Sequence, residues 1–165
     1  MGTEAGPSVP VGRLAPALCV LAVALAGCGT AGRTTSDRQW LANARVLVEQ
    51  LRSDLVLSSA SGADVASAQQ ALHNDSDLYT LLLAYSDLGG CDRMVANMGA
   101  VTRRLVQVQV TLTRACASLQ RASTLFSVAA RDDDPRALLT ASQVARDASP
   151  LLVRAELQLG AKNVR

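Results

Sequence analysis

The stretch LVQVQVTLTRACASLQRASTLF, residues 105–126, decides the fold of this chain. Two periodicities compete within it. The segment VQVQVTL at 106–112 alternates apolar and polar residues, which is typical of a strand. Apolar residues also recur at helical spacings of three and four, over a longer segment that continues on both sides. We therefore predict one helix from about 100 to 130, with an apolar stripe formed by Val101, Leu105, Val108, Leu112, Cys116, Leu119 and Phe126.

The two interpretations of residues 106–112 differ in the side chains that they bury. A helix buries Val108 and Leu112, and it leaves Gln107 and Thr111 facing water or a helix edge. A β-ladder over the same residues would contradict both this helix and the helical bundle that depends on it.

Two helical regions precede this segment. In the first, from about 36 to 57, apolar residues recur at spacings of three and four. The second runs from about 64 to 88, and the polar sequence HNDSD at 73–77 interrupts it, where Asp75 or Ser76 can cap a new helix. We expect Gly89-Gly90 to end this region, because two glycines remove both side-chain packing and backbone restraint.

A last helical region follows the aspartate run at 132–134. Asp134 and Pro135 match an N-cap residue followed by proline at the first helical position. The helix is predicted to run to about 159, with a kink near Ala148 because Pro150 removes a backbone donor. Together these regions predict an all-α fold, a bundle of about four main helices.

Composition limits the core and the partners of such a bundle. Aromatic residues make up 2% of the chain, so the core has to be built from leucine, valine and alanine. The net charge is +2, and this balance argues against a nucleic-acid partner, which would require a basic excess on one face. All basic residues except Lys162 are arginine, which is typical of coding in a GC-rich genome.

The first thirty residues carry a separate pattern. Arg13 precedes a short apolar segment, Leu14 to Ala26, which small residues close, as in an export signal. Residues 27–32 also match G-x-G-x-x-G, the phosphate-binding turn of dinucleotide folds, with Glu49 about 20 residues further on. That turn has meaning only within a strand–turn–helix unit of a parallel sheet, and the rest of this chain predicts helices, so we favour the export signal.

The sequence Leu25-Ala26-Gly27-Cys28 resembles the lipobox of bacterial lipoproteins. The resemblance implies that Cys28 receives a diacylglyceryl group and becomes the N-terminus after cleavage. It implies a signal peptide at 1–27, a flexible lipidated tether at 28–35 and a helical domain at 36–165. The protein would then lie on the extracytoplasmic side of the cell membrane. The chain as a whole resembles the small helical lipoproteins of actinobacteria.

Two other outcomes for the N-terminus stay open. An uncleaved membrane anchor needs about 20 predominantly apolar residues. The apolar segment that ends at Ala26 is shorter than this and contains Pro16, so a lipid anchor is favoured over a membrane-spanning segment. A soluble secreted product is the least favoured outcome.

The cysteines provide a second prediction. If Cys19 leaves with the signal peptide and Cys28 carries lipid, Cys91 and Cys116 remain as a pair, and export permits a disulfide between them. One continuous helix would hold them about 37 Å apart, whereas a disulfide needs Cα atoms about 5.5 Å apart. The chain must therefore break, most simply at Gly99, and we expect residues 91–99 to fold back along the third helix. Two unpaired buried thiols are the alternative.

The remaining polar residues predict no catalytic, cofactor or metal site. His73, the sole histidine, lies beside a helix break, where a surface or capping role is expected. Neither Glu49 nor Glu156 belongs to a Glu-x-x-His pair of a di-metal bundle, and the aspartates at 132–134 lack the spacing of a calcium loop. Arg103-Arg104 could contact anionic lipid headgroups, although a solvated helix face is the favoured interpretation.

Three classes of function follow from these observations. The first is a non-enzymatic, membrane-anchored lipoprotein, a helical bundle that binds a partner protein or serves the cell envelope. The second is a carrier of a small apolar ligand, which would require a large apolar cavity in the bundle. The third is a hydrolase, which would require a cleft where aspartate, His73 and serine converge.

Overall fold

The computed structural model describes residues 36–60 and 62–161. Cys28, the predicted signal peptide and the predicted tether therefore lie outside the described residues. The described part of the chain is helical and contains no strand. Its helices are α1 (Asp37–Ala60), α2 (Val65–His73), α3 (Asp75–Asn97), α4 (Val106–Asp132), α5 (Pro135–Asp147) and α6 (Ser149–Ala161). The predicted all-α bundle is confirmed.

Contacts between helices define how the bundle is arranged. The bond between Cys91 and Cys116 and the stacking of Tyr85 on Phe126 show that α3 and α4 are antiparallel. Helix α1 is antiparallel to α6, and α2 packs against α3 and α5. Helices α5 and α6 follow each other along α4. The region at 64–88, with its predicted interruption, corresponds to α2 and α3. The last region, with its predicted kink, corresponds to α5 and α6.

Helix α4 confirms the helical interpretation of residues 105–126. Val108 and Leu112 are fully buried, and Gln107 is exposed. Thr111 is buried, so the prediction that it faces water or a helix edge is wrong. Its hydroxyl donates to the backbone oxygen of Gln107 at 2.9 Å, which satisfies the polar group inside the bundle. The helix begins at Val106 rather than near residue 100.

Helix α3 continues through Gly89-Gly90, so the predicted end of the helix at this point is wrong. Each glycine costs about 1 kcal/mol relative to alanine. Leu88 and Cys91, on either side of the glycines, are fully buried, and this burial outweighs the cost. Residues 91–97 are therefore the last turns of α3, not a separate segment that folds back. The chain does break at Gly99, as predicted, where φ is 86°.

The other helix boundaries agree closely with the sequence. Asp134 caps α5 by accepting from the backbone N–H groups of residues 136 and 137, and Pro135 follows it. Helix α3 is capped by Asn74 rather than by Asp75 or Ser76, although the predicted interruption is in the right place. The last region breaks at Ala148, and Pro150 lies in the first turn of α6, where its missing donor costs little.

Small side chains fill much of the core. Trp40 is fully buried, and it is the bulkiest side chain of the interior. Fully buried alanines on five of the helices let the backbones approach closely; they are Ala44, Ala68, Ala115, Ala122, Ala129, Ala141, Ala145 and Ala155. Among residues 36–60 and 62–161, no helix has both the length and the hydropathy to cross a bilayer.

Candidate functional site

The structure brings Cys91 and Cys116 together. Their Cα atoms lie 5.2 Å apart, within the range that a disulfide requires, and the two residues are bonded. Both are fully buried between α3 and α4. Cys116 lies on the apolar stripe of α4 and points inward, as the helical spacing indicated. The bond therefore covalently joins the two helices that pack along the centre of the bundle.

His73 is exposed at the end of α2, as expected for a surface residue beside a helix break. Its Nε2 lies 2.9 Å from Oδ2 of Asp133, which is the residue after α4. Asp133 has a left-handed backbone, with φ 51°, and ends the helix there. The pair joins two helix ends across the bundle surface. In the described ranges, no three or more histidine, cysteine or acidic side chains are placed to hold a metal ion.

A surface groove of about 600 Å³ runs between α1 and α6. We call it the α1–α6 groove. Its apolar lining includes Val48 and Leu159, which are buried, and Val56, which is 68% exposed. Glu49 and Glu156, for which the sequence predicts no metal-ligating role, both line the groove. The groove therefore offers an apolar strip with charged residues beside it.

Charges of both signs border the α1–α6 groove. Arg52 forms an ion pair with Glu156 across the groove, with an N–O distance of 2.5 Å. Both side chains are about half exposed, so the pair contributes little to stability. Arg45 donates to the backbone oxygen of Leu159 at 3.2 Å, which satisfies a carbonyl in the last turn of α6. Arg45 and Arg52 thus each connect α1 to α6, the two walls of the groove.

A second groove, of about 520 Å³, lies between α3 and α4. Gly89 and Gly90 form part of its α3 wall, and Ser123 lies opposite on α4. A Cβ atom added at Gly89 would lie 2.5 Å from Oγ of Ser123, so the absence of a side chain is what permits this approach. Gly89-Gly90 was predicted to end the helix, whereas Gly89 allows α3 and α4 to pack closely.

Three buried hydroxyl groups form a cluster that sequence analysis missed. The Oγ atom of Ser142 lies 3.3 Å from the hydroxyl of Tyr85 and donates to the backbone oxygen of Ser58 at 3.1 Å. Burial raises the pKa of Tyr85, whose ring stacks on Phe126 at a centroid distance of 4.4 Å. The phenol therefore stays neutral and acts as a hydrogen-bonding group in the core. The two hydrogen bonds join residues that are 57 and 84 positions apart in the chain, so no local motif could have indicated them.

Two carboxylates meet between α1 and α3. Asp54 is partly buried, and its Oδ2 atom has no hydrogen-bond partner. Burial, and secondarily the charge of Asp87, raise the pKa of Asp54. Asp87 itself accepts a hydrogen bond from Gln50 at 3.1 Å. The charged form of Asp54 is therefore unfavourable at the interface between the two helices.

Comparison with known proteins does not extend this description. No protein family, curated protein or solved structure matches the chain. The function has to be argued from the residues themselves.

Proposed function

We propose that this protein is a membrane-anchored extracytoplasmic lipoprotein that acts as a non-enzymatic binding module for an envelope protein. The lipid would be attached at Cys28, and the helical domain would be held on the outer side of the membrane. The proposal combines the Leu25–Cys28 sequence with the geometry of the helical domain.

The buried bond between Cys91 and Cys116 is the observation that supports export most directly. Cytosolic proteins are kept reduced, so disulfides are rare in them, whereas exported domains form them readily. A bond that joins two central helices and is fully buried is well suited to a structural role in an oxidising compartment. It is independent of the N-terminal sequence, so two separate features point to the same compartment.

We assign partner binding to the α1–α6 groove. Its apolar lining, in which Val56 is exposed and Val48 lies beneath it in the core, is bordered by charges of both signs, a combination that suits an amphipathic helix of a partner protein. The apolar side chains would contribute most of the affinity, and Glu49 would help to select the orientation. No catalytic step is assigned to these residues.

The lipid anchor is tested by Cys28→Ala, with Cys19→Ala as a matched control. The lipid transferase acts on the Cys28 thiol, so Cys28→Ala should lose fatty-acid label and stay uncleaved. Cys19→Ala should be labelled and processed like the wild type, because Cys19 lies in the segment that is removed. Metabolic labelling followed by mass measurement of the N-terminus decides the point. Label that persists in Cys28→Ala contradicts the anchor.

The binding surface is tested by Val56→Asp, with Val110→Asp as a control on another exposed helix face. Photocrosslinking from position 53, which lines the groove, identifies the partner in contact with it in native membranes. The same crosslinked partner should be lost with Val56→Asp, because a charge is placed on the apolar strip. It should be retained with Val110→Asp. Equal loss with both variants, or loss with neither, contradicts binding through this groove.

A further inference from the structure

A small pocket opens at one end of the α1–α6 groove. It has a volume of about 180 Å³, and it shares Arg52 and Val56 with the groove. Its other polar lining residues are Ser59 at the end of α1, Arg146 near the end of α5 and Ser149 at the start of α6. Both charged side chains that line it are arginines, so we call it the arginine pocket. A ligand that occupies the groove thus lies next to a positively charged pocket.

The guanidinium of Arg146 is partly buried and is held by neutral groups. It donates to the backbone oxygen of Gly62 at 3.4 Å and to Oε1 of Gln143 at 3.0 Å. Among the described residues it forms no ion pair. Charges withdrawn from water are normally paired with an opposite charge. Arg146 is therefore well placed to receive an anionic ligand from the side of the groove.

The guanidinium of Arg52 is half exposed and already pairs with Glu156, which lies on the groove side. Such an exposed ion pair is worth little, because water screens it. A guanidinium also has more N–H donors than one carboxylate uses. Arg52 can therefore bind a second anion in the arginine pocket, and Glu156 competes with that anion for Arg52.

We infer that the arginine pocket binds a carboxylate of the partner segment that occupies the α1–α6 groove. This inference rests on the proposed function, because the groove has to hold a polypeptide, whose ordinary anionic groups are carboxylates. Guanidinium groups bind carboxylates through paired, charge-assisted hydrogen bonds, and the hydroxyl of Ser149 adds a donor. A helix with an apolar face and an acidic group at one end fits both cavities. It would lie in one direction, with its acidic end at the start of α6.

The pocket is tested first without the partner, on the full protein in a neutral detergent. Acetate supplies the carboxylate, and acetamide, which has nearly the same shape but no charge, is the matched control probe. The side-chain Nε–H signals of Arg52 and Arg146 are followed by nuclear magnetic resonance at constant ionic strength. Acetate should shift both signals along a saturating curve, and acetamide should shift neither. An Arg146 signal that acetate does not shift in a saturable way overturns the inference.

Charge variants separate anion binding from the contacts that the two arginines already make. R146Q should weaken acetate binding about tenfold. R146K keeps the charge but has fewer donors, so it should weaken binding about threefold, and it replaces R146Q if that variant does not fold. R154Q removes an exposed positive charge of α6 that lines neither cavity, and it should leave acetate binding unchanged.

R52Q and E156Q both remove the ion pair between α1 and α6, but only R52Q removes a ligand of the anion. R52Q should therefore weaken acetate binding about tenfold. E156Q should strengthen it about threefold, because Arg52 is released from its competitor. Equal weakening by R52Q and E156Q would show that Arg52 only connects the helices, and it would overturn the inference.

Crosslinking from position 53 in native membranes extends the test to the partner. R146Q should reduce the yield of the crosslinked partner about tenfold, and R154Q should leave it unchanged. A yield that falls with Val56→Asp but not with R146Q overturns this inference and leaves the proposed function intact. A yield that Val56→Asp does not change contradicts the proposed function, whereas saturable acetate binding that R146Q weakens still supports a carboxylate site in the arginine pocket.

Discussion

Breaking the bond between Cys91 and Cys116 should destabilise the bundle without changing its fold. The bond crosslinks α3 to α4, the two helices whose packing also includes the stacked rings of Tyr85 and Phe126. Because both sulfurs are fully buried, reduction has to be carried out on unfolded protein, which is then refolded in reductant. This procedure keeps both sulfurs in the core, so it removes the crosslink and leaves the packed volume nearly unchanged.

The expected loss follows from the chain that the bond closes. The cysteines are 25 positions apart, and the loop-closure entropy for that length predicts a loss of about 3.5 kcal/mol in the free energy of unfolding. For a domain of this size, that loss lowers the Tm by roughly 10 °C. C91A/C116A should lose more than the reduced wild type, because it also leaves small cavities where the sulfurs were.

Thermal unfolding is followed by circular dichroism on oxidised and reduced protein, with C91A/C116A measured with and without reductant. Reductant should have no effect on that variant, which controls for effects of the solvent. A reduced wild type that melts within a degree or two of the oxidised protein would show that the bond does not constrain the unfolded chain. Mass spectrometry after alkylation should find no free thiol in the exported protein, and two alkylated cysteines would refute the bond itself.

Two further predictions concern single positions. Gly90→Ala should raise the free energy of unfolding by about 1 kcal/mol, because its Cβ meets nothing nearer than 3.9 Å, whereas Gly89→Ala should lose that gain against the side chain of α4; equal urea midpoints would contradict the close packing. Asp54→Asn should raise the Tm at neutral pH, because burial and Asp87 raise the pKa of Asp54 and so make its charged form costly in the folded state. This gain should be present above the raised pKa and disappear below the ordinary carboxyl pKa; a gain that is independent of pH would contradict the electrostatic explanation.

Local sequence patterns were sufficient to predict the helices and most of the positions where they begin and end. The apolar stripe from Leu105 to Phe126 predicted the helix correctly against the strand pattern at 106–112, because the stripe continues over many more residues than the alternation does. The break at 73–77 and the start of α5 at Asp134-Pro135 were also correct. Such features depend on spacing and on capping groups within one turn, which a sequence displays directly.

Patterns that depend on a neighbouring helix were misjudged. A pair of glycines such as Gly89-Gly90 is typical of a helix end, yet the role of Gly89 depends on Ser123 of α4. Thr111 is polar and was expected at an exposed position, yet it is buried in the bundle, where its hydroxyl donates to a backbone oxygen one turn earlier in the same helix. In both cases the local preference amounts to about 1 kcal/mol or less, and packing against another helix outweighs it.

The pairing of Cys91 with Cys116 lies between these two cases. The sequence by itself determined an all-α fold and predicted that Cys91 pairs with Cys116, because the count of cysteines and the need for a chain break are properties of the chain alone. The tertiary structure alone decided that the α1–α6 groove exists, and that Ser58, Tyr85 and Ser142 share one buried cluster. These contacts join residues from helices far apart in the chain, and their energy depends on distances that only the packed bundle determines.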